Sequence, residues 1–144
     1  MLIRKVEEKD IPQIEEIEKE NFLVPYKISD FEYELKNNPY SHFLCVSEGE
    51  EICAYIIFWI TFDSSTLCRI ATKNSKKRLG LAGFLLENME KICKEHEVSF
   101  LTLEVRVSNT RAINLYKKFG YEMVTIKSKY YENSEDALYM MKGI

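Results

Sequence analysis

The stretch LCRIATKNSKKRLGLAGFLLEN, residues 67–88, decides how the rest of the chain is arranged. An apolar run over 67–72 passes into a basic, glycine-containing turn over 73–83, and that turn opens directly into a helical pattern. The order is strand, turn, helix. The first backbone N–H groups of a helix have no partners within it, and the helix dipole places partial positive charge at the same end. A turn that delivers a helix in this way suits an anion, and Lys76, Lys77 and Arg78 add formal charge beside it. The natural occupant is a phosphate or a pyrophosphate.

Two common phosphate loops are excluded. The GxxxxGK[ST] loop is absent, and the GxGxxG fingerprint fails because Gly80 and Gly83 stand without its first glycine. What remains is Lys77, two residues, Gly80, one residue, Ala82. This spacing resembles the (Gln/Arg)xxGx(Gly/Ala) pyrophosphate loop of the GNAT N-acetyltransferases, whose fold binds acetyl-coenzyme A. Lys77 stands where that family has Gln or Arg, a change that a loop working through backbone N–H groups tolerates. The resemblance implies that Lys77, Arg78, Leu79, Gly80, Leu81, Ala82 and Gly83 hold the cofactor's phosphates. Taken alone, the same residues also read as a basic surface turn ahead of an amphipathic helix.

A chain of 144 residues predicts one domain, able to bury about two-thirds of the surface its unfolded form exposes. It needs neither disulfides nor metal to hold it. Cys45, Cys53, Cys68 and Cys93 show no CxxC or Cys/His ligand spacing and fall in apolar stretches, where a thiol packs as a small hydrophobe. The N-terminus, MLIRKVEEKD, lacks the apolar core of a signal peptide, and no apolar run reaches the ~18 residues that span a bilayer. The expectation is a soluble cytoplasmic protein, a monomer or weak dimer, with no membrane partner. A net charge of −3 argues against nucleic-acid binding, which demands a basic face. Acidic residues cluster over 15–20 and 48–51 and basic ones over 73–78, so the positive charge is local and favours a small polyanion.

Taken in order, residues 2–6 read as a strand. Asp10 is placed to cap a helix with Pro12 in its first turn and Ile11, Ile14 and Ile17 on its apolar stripe. Ser29 and Glu32 form an S-x-x-E capping box for a second helix, with Phe31 and Leu35 inward and Asn37, Asn38 and Pro39 as its stop. The apolar loop 21–27 lies between them. Residues 42–47 and 52–62 predict an antiparallel hairpin about Gly49, and the second strand is so continuously apolar that both its faces must be covered. After a turn at 63–65 and the strand 67–72, the helix beyond Gly80 turns Leu85, Met89, Ile92 and Cys93 inward and Glu87, Glu90, Lys91 and Lys94 outward, ending near His96. Residues 99–106 form a strand parallel to 67–72, as the handedness of such crossovers requires. Asn109 or Ser108 caps a helix over 110–119 that buries Ala112, Ile113, Tyr116 and Phe119 and ends at Gly120. Residues 121–129 and 137–141 close the sheet around a polar loop, 130–136. The fold class expected is α/β (α+β): a mixed, mainly antiparallel sheet of about seven strands with helices on both faces.

The segment LEVRVSNTRAINLYKKFGY, 103–121, makes the resemblance specific. It is similar to the LEVR-x-SN-x-x-A-x-x-LY-x-x-x-GF/Y segment of the bacterial ribosomal-protein-alanine N-acetyltransferases, a branch of the same family. The Pro-aromatic pair of the loop 22–31 and the tail YYENSEDALYM, 130–140, match that branch in spacing. The resemblance implies a GNAT fold with a splayed, bulged central pair of parallel strands. It implies that Ile70, Ala71 and Thr72 meet the pantetheine arm through their backbone, with Asn109 at the pantetheine or phosphate end. It implies Glu104 as the general base and Tyr116 at the coenzyme A sulfur. A phenol of pKa ~10 does not hand its proton downhill to a thiolate of ~8.5, so a hydrogen bond to the thiolate is the chemically sound role for Tyr116. By composition alone, Glu104 also reads as a solvated edge residue, Tyr116 as a core aromatic and Asn109 as a plain cap. His42 and His96 lack companions at catalytic or metal-ligand spacing and read as structural.

An α-amine, pKa ~7.7 to 8.0, is partly neutral near neutral pH, whereas lysine, ~10.4, is about a thousandth neutral, a difference of ~3 kcal/mol. One carboxylate and a water suffice for the former. The branch implies the N-terminal alanine of a small-subunit ribosomal protein as acceptor, held by Phe22, Pro25 and Tyr26 on one side and Tyr130 and Tyr131 on the other. Tyr26 replaces the branch's tryptophan and Lys27 its serine, which leaves the acceptor's identity open. A small-molecule amine, a lysine, or a non-catalytic acyl-coenzyme A module are the alternatives.

Overall fold

The computed structural model describes residues 1–131 and 135–144. The chain runs β1 (Leu2–Lys5), α1 (Ile11–Asn21), α2 (Ile28–Lys36), β2 (Ser41–Glu48), β3 (Glu51–Thr61), β4 (Ser64–Thr72), α3 (Leu81–Glu95), β5 (Phe100–Arg106), α4 (Thr110–Lys118), β6 (Glu122–Lys127) and β7 (Ala137–Gly143). The strands form one seven-stranded sheet in the order β1-β2-β3-β4-β5-β7-β6. β4 and β5 run parallel; their neighbours pair antiparallel. The sequence expectation of a mixed, mainly antiparallel sheet is met.

β3 explains the two layers. Ile52 to Phe58 are all essentially inaccessible, so their side chains feed cores on opposite faces. Ile56 and Phe58 join Leu81, Leu85, Met89 and Cys93 of α3, while Ile52, Tyr55 and Ile57 join Ile11, Ile14, Ile17 and Phe31 of α1 and α2. Among the described residues, no helix is long and apolar enough to cross a membrane. The four cysteines are free thiols, and burial pushes Cys45 up to about 11 and Cys68 up to about 12, which keeps them in the unreactive thiol form.

Several local expectations are corrected. Asp10 does not cap α1 with its side chain. Its carboxylate accepts from Arg4 (2.7 and 3.0 Å) and from the Glu7 N–H (2.8 Å), closing the short 3-10 turn Glu8–Asp10 instead. The Ser29/Glu32 box is not used: α2 starts at Ile28, and Asp30 accepts from the Lys27 N–H at 2.8 Å. In both places a carboxylate at the third position of the turn reaches back to the N–H of the residue that opens it, Asp10 to Glu7 and Asp30 to Lys27. Glu90 is only half outward, held by Lys142 at 2.8 Å.

The relationship that creates a cleft lies between β4 and β5. Their pairing covers only Ser64↔Phe100 to Leu67↔Leu103. β4 then continues to Thr72 beside β3, and β5 to Arg106 beside β7. Along β3 the register jumps from Ile57↔Arg69 to Phe58↔Leu67, which leaves Cys68 as a bulge. A bulge bends its strand and increases its twist. The splay and the bulge implied by the family resemblance are therefore both present, at the same place.

Candidate active site

The splay opens a cleft of about 1070 Å³, which exceeds the ~300–1,000 Å³ of pockets for one drug-sized ligand. One end is made by β4, the 77–83 turn and the starts of α3 and α4. The other is made by residues 22–26, the end of β5 and residues 130–131.

At the first end, Arg78 (φ 69°) and Gly80 (φ 77°) are both left-handed, and Gly80 is the N-cap of α3. Alternating handedness turns successive N–H groups to one side, a concavity that suits an anion. A β-carbon on Gly80 would meet nothing within 4 Å; it is the backbone angle that asks for glycine there. Gly83 has a different reason, because its β-carbon would stand 2.7 Å from Phe119 Cζ. Lys77, Arg78, Gly80, Leu81, Ala82 and Gly83 line the cleft. Leu79 does not line it and is 58% exposed. The basic run is also less concentrated than its sequence suggests. Lys76 pairs with Glu48 (3.5 Å) and Glu51 (3.7 Å), and Lys73 with Glu51 (2.8 Å), so the acidic hairpin at 48–51 offsets their charge.

Ile70, Ala71 and Thr72 line the same end, with β3 on one edge and the splay on the other. The Thr72 carbonyl accepts from Asn21 Nδ2 at 3.1 Å, which uses one of its two lone pairs. Asn109 caps α4, its Oδ1 accepting from the Ala112 N–H at 3.2 Å, and also lines the cleft. Tyr116 is buried against Tyr121 while reaching the cleft. Burial, with Tyr131 adding to it, pushes its phenol well above the ordinary range, so the hydroxyl is a firm proton holder and hydrogen-bond donor.

Glu104 lines the cleft from β5 and is not a freely solvated edge residue. Lys127 Nζ lies 2.6 Å from its Oε1, having crossed the face of Tyr139, whose ring centroid is 4.9 Å away. A hydrogen bond to Glu104, together with burial, pushes the Tyr130 phenol up to about 12. Tyr131 stacks on Arg106, with the guanidinium carbon 4.1 Å from the ring centroid. Residues 132–134 of the expected acceptor loop 130–136 lie outside the described residues.

On the opposite wall, Phe22 and Tyr26 line the cleft together with Leu23 and Val24, whereas Pro25 does not. Sequence reading missed what these residues surround. Arg69, on β4 beside the bulge, lies between the Phe22 and Tyr26 rings, 4.1 and 4.0 Å from their centroids. It pairs at 3.0 Å with Glu18, which is fully buried and also accepts from the Tyr55 hydroxyl and, at 2.8 Å, from the Tyr26 N–H. The available signals were a lone arginine in an apolar strand and a glutamate beside the isoleucine stripe of α1. His42 stacks on Phe58 (5.0 Å between ring centroids) and meets His96 edge-on (5.4 Å), away from the cleft lining.

The geometry thus gathers a turn fit for phosphates, a free strand edge, a carboxylate and a buried phenol into one cleft. The comparisons with known proteins agree with that assembly. The sequence profile of the Acetyltransferase (GNAT) family matches residues 11–121. A Bacillus subtilis protein named a candidate ribosomal protein bS18-alanine N-acetyltransferase is 37% identical, over 96% of this chain and 92% of its own. The Escherichia coli ribosomal protein bS18-alanine N-acetyltransferase is 32% identical, over 96% of this chain and 94% of its own. The crystal structure of the Escherichia coli ribosomal-protein-S18-alanine N-acetyltransferase superposes with a TM-score of 0.90 at 29% identity, covering 99% of this chain and 93% of its own. Ard1 from Thermoplasma volcanium, at 23% identity, shares the fold with a TM-score of 0.93, over 99% of this chain and 97% of its own. The chain belongs to the GNAT acetyltransferase family and is an N-acetyltransferase similar to the ribosomal-protein-alanine branch.

Proposed function

We propose that the protein transfers an acetyl group from acetyl-coenzyme A to the α-amine of a protein N-terminus, the N-terminal alanine of a small-subunit ribosomal protein. The observation that carries this reading is that the 77–83 turn, Glu104 and Tyr116 line one cleft at the β4/β5 splay. β4 and β5, which flank that cleft, belong to one seven-stranded sheet, which supports reading residues 1–144 as a single acetyltransferase domain. Free thiols throughout the core support a cytoplasmic setting.

Acetyl-coenzyme A supplies an acetyl group activated as a thioester. The left-handed residues Arg78 and Gly80 and the first N–H groups of α3 suit its pyrophosphate, with Lys77 and Arg78 as cations at the same wall. The open edge of β4 at 70–72 suits the amides of the pantetheine arm, as a strand edge pairs with a peptide. Glu104 takes the proton of the acceptor ammonium, through one water, as the amine nitrogen bonds to the acetyl carbon. The carbon–sulfur bond would then break as the nitrogen gives its second proton to solvent through the same water, and the Tyr116 hydroxyl would donate a hydrogen bond to the departing thiolate. Phe22, Leu23, Val24 and Tyr26 on one side and Tyr130 and Tyr131 on the other form the walls for the acceptor chain. The similarity to ribosomal-protein-alanine acetyltransferases supports the choice of acceptor.

The deciding experiment incubates the protein with acetyl-coenzyme A and peptides that differ at the first residue, following free thiol. Acetylation of an alanine-first peptide whose lysines are absent is the expected result. Turnover confined to lysine side chains or to small amines overturns the assignment.

A further inference from the structure

We infer that Arg69 is a positioning residue that sets the acceptor specificity of the cleft, by holding residues 22–26 as the wall against which the acceptor chain lies. The inference rests on the peptide acceptor proposed above. Arg69 touches that wall at three residues and reaches it through a fourth, Glu18 of α1. Its guanidinium is stacked between Phe22 and Tyr26, it donates to the Val24 carbonyl at 3.3 Å, and it pairs with Glu18. The same Glu18 oxygen then accepts the Tyr26 N–H.

The tip of the wall has little else to hold it. Leu23 is 69% exposed and Val24 49% exposed, so their side chains do not anchor the backbone in the core. Phe22 and Tyr26 are the wall's aromatic anchors, and the guanidinium fills the space between them. The buried Arg69 Nε has no hydrogen-bond partner among the described residues. Stacking, the Glu18 ion pair and the Val24 hydrogen bond, all made without Nε, therefore define the position, which demands a planar cation with two faces.

Arg69 is also where the two halves of the cleft meet. It follows the bulged Cys68 directly and precedes the free edge at 70–72. A shift of its side chain moves the acceptor wall relative to the donor slot, which misplaces an acceptor long enough to lie along that wall and leaves one that meets only the donor end untouched. A family member with a different residue here must hold its acceptor wall by other means.

The test is Arg69→Lys, which keeps a cation for Glu18 but cannot stack on two rings or reach Val24 in the same geometry. Steady-state rates are measured with an alanine-first tetrapeptide and with alanine amide, which is too short to lie along the wall. The expected result is a rise in the tetrapeptide KM of about tenfold to a hundredfold, with the acetyl-coenzyme A KM and the alanine amide kinetics unchanged, and faster hydrogen exchange at the Tyr26 amide. An unchanged tetrapeptide KM overturns the inference, as does an equal loss on alanine amide or on acetyl-coenzyme A. Should Arg69→Lys fail to fold, the paired change Arg69→Met with Glu18→Gln removes both charges and is read the same way. If the wild type acetylates neither acceptor, the acceptor assignment falls, and the exchange measurement alone decides Arg69: wild-type protection of the Tyr26 amide in the variant overturns its role.

Discussion

The ammonium of Lys127 lies 2.6 Å from the carboxylate of Glu104, so the group placed to receive an acceptor's amine already holds one. The pair is partly exposed, 41% at Lys127 and 24% at Glu104, and pairs of that kind contribute about 0.2–1 kcal/mol after solvent screening. An incoming ammonium must compete with Lys127. Lys127→Met is expected to lower the acceptor KM by about 1.4- to fivefold, the equivalent of that energy, with acetyl-coenzyme A binding unaltered. Glu104→Gln is expected to cut turnover by about 10²–10⁴ while cofactor affinity stays. Initial rates against both substrates check the pair; normal turnover in Glu104→Gln would remove its role as base.

Tyr116→Phe separates packing from chemistry, because only the hydroxyl is lost. One hydrogen bond to a charged group is worth about 1.5–3 kcal/mol, so turnover is expected to drop by about tenfold to a hundredfold. The ring remains in the core, and the midpoint of urea unfolding should hardly move. Pre-steady-state release of thiol is the direct measurement, and a wild-type rate would dismiss the thiolate contact.

Gly83 and Gly80 predict different failures on substitution by alanine. At Gly83 the new methyl would stand 2.7 Å from Phe119 Cζ, an overpacked contact between α3 and α4 that costs about 1–3 kcal/mol. Phe119→Leu should recover much of that loss. At Gly80 there is room, but the left-handed backbone penalises any side chain by about 1–2 kcal/mol. Phe119→Leu should do nothing for it. Thermal unfolding of the two single and two double variants distinguishes the causes.

His42 gives the fold a dependence on mild acid. Burial, then His96 and Lys5, hold its imidazole below the usual 6.5, since protonation would leave a partly buried cation beside a second imidazole and an ammonium. The stability this contributes is complete above the free imidazole value. It is lost as pH falls from about 6.5 through the lower folded value. His42→Phe should flatten stability between pH 6.5 and 5, about the range over which wild type weakens; an identical slope in the variant would place the effect elsewhere.

Much of the architecture was legible from short-range pattern. The unbroken apolar run in β3 required cover on both faces, and Ile11, Ile14 and Ile17 required a helix to provide it on one side. The phosphate-fit turn was legible because its features are local: a basic run, Gly80, and a helix starting at Leu81. Cap assignments failed at Asp10, whose carboxylate turns back to Arg4 and the Glu7 N–H, and at Ser29, because α2 starts at Ile28 and Asp30 closes on the Lys27 N–H; only the backbone path decides between such neighbours.

What the amino-acid order determined by itself was the set of elements, their sequence and the chemical types brought to each, since periodicity and turn chemistry act between near neighbours. The tertiary structure alone decided which of those groups share a cleft and what each already holds. Lys76 is engaged by an acidic hairpin, Glu104 by Lys127, and Arg69 by a glutamate 51 positions earlier. Electrostatics and stacking depend on distance in space, and chain separation carries no record of that distance until the sheet has closed.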